Sequence, residues 1–298
     1  MERLATVRSR AMKVTRGQTV LLTGATGGLG TVIAHAFARR GLNLALVASP
    51  GFELNGLRTA LESQGVKVAT WVTDLREPDQ RRAMLVEVRE TFGEVDFLIN
   101  NAGVEFTAAY HELTEDDLRD ILNINLAAPM VLTRLVLPGM LRRRAGHIVN
   151  ISSLAGKSGP AFQEPYAATK AALVAFTSSL RATYRGTGVS ASVVTPGFVE
   201  AGIYANLKKR SGYSAPRLLG TSKPETVARA VLEVIERDQF EQIVNPLPVR
   251  PLLAFCALFP TLGEWLTERT GGNDFFRKVA ARLRESREST IESANKTS

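Results

Sequence analysis

The chain has 298 residues, 45% of them hydrophobic and 22% charged, which is the balance of a soluble globular protein long enough to bury a large core. That composition excludes wholesale disorder, collagen and coiled coil. Thirty-seven Lys and Arg against 29 Asp and Glu give a net charge of +8, which favours acidic partners (phosphorylated cofactors, acidic carrier proteins, anionic lipid, nucleic acid) without choosing among them.

In chain order, short apolar β-type runs alternate with helix-length amphipathic segments. TVLLTG (19–24) precedes a helix over about 29–40, LNLALVA (42–48) a helix over 54–64, and VKVATWV (66–72) a helix over 78–91. VDFLIN (95–100) precedes a long helical stretch over 114–143. GHIVNIS (146–152) precedes a helix over 166–184, VSASVVT (189–195) an irregular loop and a helix over 224–237, and EQIVN (241–245) closes the series. Strands buried on both faces read as continuous apolar runs, and β-α alternation predicts a doubly wound parallel sheet of the α/β class. The organisation expected is a basic arm (1–16), one catalytic domain (17–245) and an apolar C-terminal extension (246–298).

The single cysteine, Cys256, cannot form an internal disulfide and fits a reducing, cytoplasmic setting. The N-terminal stretch is basic without the apolar core of a secretion signal; it reads as a solvated arm, or less well as a targeting peptide. The apolar run LPVRPLLAFCALFPTL (247–262) is broken by Pro248, Pro251, Pro260 and Arg250, so no transmembrane helix is expected.

The first strand ends in Thr23-Gly24-Ala25-Thr26-Gly27-Gly28-Leu29-Gly30. Glycines at 24, 28 and 30 permit a tight turn and a close backbone approach to a pyrophosphate, and the helix that follows points its free N–H groups at that anion. No Gly-Lys-Ser/Thr follows, which excludes a P-loop. Tyr166 and Lys170 stand four apart on one helical face. A positive charge near a phenol favours the phenolate, so Lys170 is expected to lower the Tyr166 pKa from its usual ~10 and make it a general acid/base.

The glycine loop, Asn100-Asn101-Ala102-Gly103, Ser153 thirteen residues before Tyr166, Lys170 and Pro196-Gly197 stand in the order of the short-chain dehydrogenase/reductase family, which residues 17–245 resemble. The resemblance implies a seven-stranded Rossmann-type sheet, NAD or NADP at its C-terminal edge, a homodimer or homotetramer, and hydride transfer between nicotinamide and a carbonyl or alcohol. It implies Tyr166 as proton donor, Lys170 on the nicotinamide ribose, Ser153 on the substrate oxygen with Ser152 as rival, and Asn125 anchoring a relay water with Asn123 as rival. Gly24, Thr26, Gly28, Leu29 and Gly30 would hold the pyrophosphate; Asp74, Leu75, Asn101, Ala102 and Gly103 would border the adenosine. Pro196, Gly197 and Val199 would shape the nicotinamide pocket, although Ala201 stands where the family often has a threonine. Pro129, four residues after Asn125, has no N–H to bond that carbonyl, so a kink with a free Asn125 C=O is expected.

At the end of the second strand Ala48-Ser49-Pro50 lacks the acid that usually receives the ribose hydroxyls of NAD. NADP is therefore favoured over NAD, with Ser49 as a donor to the 2′-phosphate and Arg76 as a distant cation; Glu53 reads as a first-turn helix residue. The lid region 201–223 mixes apolar residues with Lys208-Lys209-Arg210. The expected substrate is an apolar ketone or secondary alcohol, an acyl thioester or lipid being favoured. A membrane-peripheral steroid or lipid dehydrogenase and a non-enzymatic NADP sensor are the alternatives; intact Ser153, Tyr166, Lys170 and Asn125 argue against the sensor. The extension fits a pocket wall, an oligomer contact or a peripheral membrane contact. His35, His111 and His147 show no metal spacing and read as ordinary helix, loop and strand-edge residues, so no metal is expected, and no nucleic-acid module is recognisable.

Overall fold

The computed structural model describes residues 13–216, 219–269, 271 and 273–296. The first twelve residues of the basic arm lie outside the described residues. Seven parallel strands form one sheet in the order β3-β2-β1-β4-β5-β6-β7. They are β1 (Thr19–Thr23), β2 (Asn43–Ala48), β3 (Val68–Val72), β4 (Phe97–Asn100), β5 (Gly146–Ile151), β6 (Val189–Pro196) and β7 (Glu241–Val244). The order reverses between β1 and β4, and the crevice at such a switch point is where open α/β sheets take ligands.

The central strands are apolar on both faces because helices cover both. On one face α1 (Gly28–Ala38) and α8 (Pro224–Glu236) bury Ile33, Phe37, Val227, Val231 and Ile235 against Val20, Leu44 and Phe97. Phe37 and Phe97 stack with ring centroids 6.4 Å apart. On the other face α3 (Pro78–Phe92) and α5 (Ala128–Arg143) bury Met84, Val88, Leu132 and Val136 against Leu21, Leu98 and Ile148. Full burial of each such side chain stabilises the fold by roughly 1.5–3 kcal/mol. Helices α2 (Asn55–Glu62) and α6 (Glu164–Thr183) complete the layers. Glu53 precedes α2 and is exposed, so it is a loop residue and not part of the first helical turn.

Three stretches differ from the sequence expectation. The long segment over 114–143 begins with a capping box in which Thr114 and Asp117 satisfy each other's backbone, opening α4 (Glu115–Leu122). Just before Pro129 a π-helical turn (Asn123–Ala127) joins α4 to α5, and Pro129 lies in the first turn of α5. The Ala128 N–H reaches back five residues to the Asn123 carbonyl, which widens the helix just before the residue with no N–H to give. This combined helix is long and apolar enough to cross a membrane by length and composition, but half of its most apolar window is buried inside the protein.

Within 201–223, where an irregular loop was expected, residues 202–211 are helical: α7 (Gly202–Ser211) ends at Gly212, whose φ of 77° suits a left-handed cap. Beyond β7 the chain forms α9 (Arg250–Leu258), α10 (Pro260–Arg269) and α11 (Asp274–Lys296). Phe275, Phe276, Val279 and Leu283 of α11 pack with Tyr204 and Leu207 of α7 in a third apolar cluster, against which Phe198 and Ile203 also lie.

Candidate active site

The loops leaving the C-terminal ends of the strands converge on one cavity of about 1750 Å³. After β1, Gly24 has φ 67°, and a methyl there would lie 2.8 Å from the Ala102 Cα. At Gly30 it would lie 2.1 Å from the Gly24 carbonyl oxygen, and at Gly28 2.9 Å from the Gly202 backbone N. Side chains are thus excluded by backbone on every side. Helix α1 opens on this loop with no side-chain cap, so its first N–H groups are left for a ligand. A bare backbone cradle at an uncapped helix N-terminus fits a dinucleotide pyrophosphate. Asn101 ties the loop to β4, its Nδ2 donating to the carbonyls of Thr23 and Gly24 at 3.0 and 3.1 Å.

Ser49, Asp74, Leu75, Asn101, Ala102 and Gly103 line the same cavity, as do Thr26, Leu29, Pro196, Gly197 and Val199. Arg76 is not available as a cation for phosphate. Its guanidinium grips Asp74 at 2.6 Å and Asp120 at 2.9 Å, and the Arg76 contact holds the Asp74 carboxyl below its ordinary range.

On the reactive side, Tyr166 and Lys170 rise from the first turns of α6, and both are buried at the cavity wall. The Lys170 Nζ donates to the Ile151 carbonyl at 2.9 Å and lies 5.6 Å from the Tyr166 ring centroid. Burial pushes the Tyr166 hydroxyl up to about 12, against the pull of the Ser153 hydroxyl facing it and with a further push from the charge of Glu105. Burial also brings Lys170 down to about 8. The expectation that Lys170 depresses the phenol is therefore not met in this site: desolvation outweighs charge proximity for both groups. Ser152 and Ser153 are rivals by residue type, and the spacing to Tyr166 favours Ser153. Both line the cavity, but Ser152 is buried and its hydroxyl donates to the Lys170 carbonyl at 2.7 Å, while the Ser153 hydroxyl faces Tyr166.

Asn125 is fully buried behind the cavity. Its amide Nδ2 donates to the Val104 carbonyl and its Oδ1 accepts the Val104 N–H, both at 2.9 Å, while Nδ2 also reaches Thr169 Oγ1 at 3.3 Å. It clamps the loop after β4 to α6. A methyl at Gly103 would sit 3.4 Å from both Asn125 Oδ1 and Lys170 Nζ, so that glycine keeps open the gap between them. Asn123 lies in the same π-turn but is partly exposed.

Sequence reasoning missed Glu105. Its Oε2 accepts from Thr107 Oγ1 at 2.6 Å and from Gln163 Nε2 at 3.0 Å, and burial raises its carboxyl pKa. It also missed Asn273, whose Oδ1 receives the Ala161 N–H at 3.1 Å. This bond ties the extension to the loop where Phe162 stands at a φ of 64°, a costly conformation for a bulky residue that sets the turn into Gln163. His147 is no edge residue. It is buried in β5 with its Nε2 2.8 Å from Ser192 Oγ, and burial lowers its pKa to about 4.

Part of the cavity is apolar, with Phe198, Tyr204, Leu207, Leu253, Leu266 and Phe276 among its walls. Among the described residues no cluster of His, Cys, Asp and Glu could hold a metal.

The chain is similar to several known proteins. The ketoacyl reductase HetN of Nostoc sp. is 38% identical over 90% of this chain and 94% of its own. The dehydrogenase/reductase SDR family member 7B of Bos taurus is 32% identical over 92% of this chain and 84% of its own. A variant of the actinorhodin polyketide ketoreductase with NADPH superposes with a TM-score of 0.71 at 30% identity, covering 76% of this chain and 95% of that one. A metagenomic short-chain oxidoreductase in complex with NADP gives 0.67 at 27%, covering 79% and 100%. The family model for short chain dehydrogenases matches residues 18–212, the span that carries the glycine cradle, the Ser153–Tyr166 facing pair and Lys170. Sheet order, loop chemistry and these likenesses agree, and the chain belongs to the short-chain dehydrogenase family of oxidoreductases.

Proposed function

We propose that the protein reduces an apolar ketone to a secondary alcohol with NADPH, with Tyr166 as the proton donor. The observation that carries this reading is the pairing of Tyr166 with Ser153 on a cavity that the glycine loop and a set of apolar side chains also line. When bound along the glycine loop, the cofactor would supply a hydride for the carbonyl carbon. The chain's residues do the rest. Ser153 would hold the substrate oxygen by a hydrogen bond, and Tyr166 would give its hydroxyl proton to that oxygen as negative charge builds there. A phenol held near 12 stays protonated at neutral pH, which suits the reductive direction. Lys170, brought down to about 8, can pass a proton on readily and would hold the nicotinamide ribose hydroxyls.

NADP is preferred over NAD in this reading because Ser49 at the end of β2 presents a hydroxyl and no carboxylate to the ribose. Support also comes from the NADP and NADPH carried by the neighbouring structures and from the ketoreductase and ketoacyl reductase names of the relatives. The bulk of Phe198, Tyr204 and Phe276 favours a long or multi-ring substrate, an acyl thioester or lipid-like ketone. The assembly is taken to be a homodimer or homotetramer in the cytoplasm. The test is a panel of soluble apolar ketones read by NADPH absorbance. Turnover of members of the panel, faster with NADPH than NADH, is expected; no oxidation of either cofactor with any ketone would defeat the reading.

A further inference from the structure

The extension beyond β7 has two faces of opposite use. Inward, Leu253, Cys256 and Ala257 of α9 and Gly263 and Leu266 of α10 line the cavity. The two helices touch where Gly263 faces Cys256, since a methyl on Gly263 would lie 2.9 Å from the Cys256 Cα. Outward, the hairpin they form leaves large apolar side chains in water. Leu258 is 75% exposed, Phe259 and Trp265 55% each, and Leu262 47%. No residue of α9 is fully buried. Leu258 and Phe259 stand at the hairpin's tip, where α9 gives way to Pro260 of α10. Single exposed leucines are ordinary, but a cluster of this size on one short hairpin marks a contact surface.

The surroundings favour one occupant. Lys208, Lys209 and Arg210 close α7, all three are exposed, and Arg210 lies on the rim of the same cavity. Lys209 makes no ion pair among the described residues, Lys208 reaches Glu200 only at 3.7 Å, and Arg210 acts on the Glu105 carboxyl inside the cavity. Arg269 lies 5.5 Å from the Trp265 ring centroid, a cation-on-indole pair of the kind that sits well at a lipid–water boundary. The whole chain carries +8. A second copy packed on this face by two-fold symmetry would bring one cationic rim against another. An anionic lipid surface takes the apolar tip into its acyl boundary and pairs the cations with headgroups.

We infer that the α9–α10 hairpin seats the protein on an anionic lipid surface, with the cavity mouth facing the lipid. An apolar ketone then enters from the lipid between α7 and the hairpin; this second half rests on the reductase reading above. The substrate end of the cavity and the exposed tip are two sides of the same two helices, so seating and entry share one element.

The test uses the full chain and flotation with phosphatidylcholine vesicles, with or without about one third phosphatidylserine. Wild type should float with the anionic vesicles and not with the neutral ones, and high salt should weaken the binding. The Leu258→Asp, Phe259→Asp double variant should lose binding by more than about tenfold while still quenching on NADPH addition, since neither side chain lines the cavity. Lys209→Glu should lose part of it. Equal flotation of wild type and the double variant would overturn the inference, as would no flotation of wild type. So would a wild-type oligomer that the double variant splits without any vesicle binding, which would make the face an interface between copies. Entry is read separately: the double variant should slow reduction of a vesicle-borne long-chain ketone more than that of a short soluble one. Failure of the soluble ketone in wild type sinks the reductase reading and leaves the flotation result standing.

Discussion

Gln163 donates its side-chain amide to Glu105 across 58 positions of sequence, at 3.0 Å, and Tyr166 stands one helical turn beyond that glutamine. The glutamate's charge is felt at the phenol, where it opposes ionisation. In the proposed reaction, oxidation of an alcohol would use the Tyr166 phenolate, so its rate should climb with pH toward about 12. Glu105→Gln removes the charge and keeps the shape. The alkaline climb in kcat/KM for oxidation should move to lower pH, read from the pH profile of NADP reduction. An unmoved profile would show that Glu105 acts only on packing.

Tyr166→Phe should cut carbonyl reduction by roughly 10²–10⁴ while NADPH still binds, because the lost hydroxyl carries the proton and little cofactor contact. Cofactor affinity by fluorescence and turnover by absorbance separate the two effects. Near-normal turnover would remove Tyr166 from the proton-donor role.

Ser49→Asp should exchange the cofactor preference. A carboxylate at the end of β2 repels a 2′-phosphate and accepts the hydroxyls of an unphosphorylated ribose. The ratio of kcat/KM for NADPH over NADH is expected to fall by more than about tenfold, and the drop should shrink at high salt. A ratio that does not change would place the phosphate away from Ser49.

His147 links pH to stability. Its folded value of about 4 lies below the ordinary 6.5, so the unfolded chain takes up a proton first as pH falls through 6.5 toward 4. Stability is complete above that window and is lost within it. In His147→Gln the loss from this site is absent. The unfolding free energy of the variant should therefore gain about 2 kcal/mol on wild type between pH 7 and pH 5, measured by urea titration at each pH. A constant gap between the two proteins would show that His147 does not titrate alone in that range.

The strands, the glycine loop and the Tyr166–Lys170 pair were legible in the sequence because each depends on neighbours a few residues away. Runs such as VDFLIN and the turn after Thr23 declare their geometry locally. Spacing to Tyr166 favoured Ser153 over Ser152, and the bond from the Ser152 hydroxyl to the Lys170 carbonyl is a contact that spacing did not reveal. The Glu105–Gln163–Thr107 cluster was not legible, since residues from the loop after β4 and the start of α6 meet only once β4 and β5 are paired. Pro129 signalled a disturbance beside Asn125, yet whether the backbone would kink or widen into a π-turn is decided by how α4 and α6 pack around it. Helix α7 was hidden because its sequence has few buried positions of its own, and α11 supplies the surface it packs on.

The apolar end of the cavity draws much of its wall from residues 249–276, all of them downstream of the last strand. Ribosomal synthesis therefore delivers the pyrophosphate cradle, the Tyr166 helix and all seven strands before any of that wall exists. A nascent chain paused after β7 has a place to hold a dinucleotide and only part of an enclosure for a substrate. By the same token, a gene altered only downstream of β7 reshapes that apolar wall while leaving the glycine loop, Ser153, Tyr166 and Lys170 as they are.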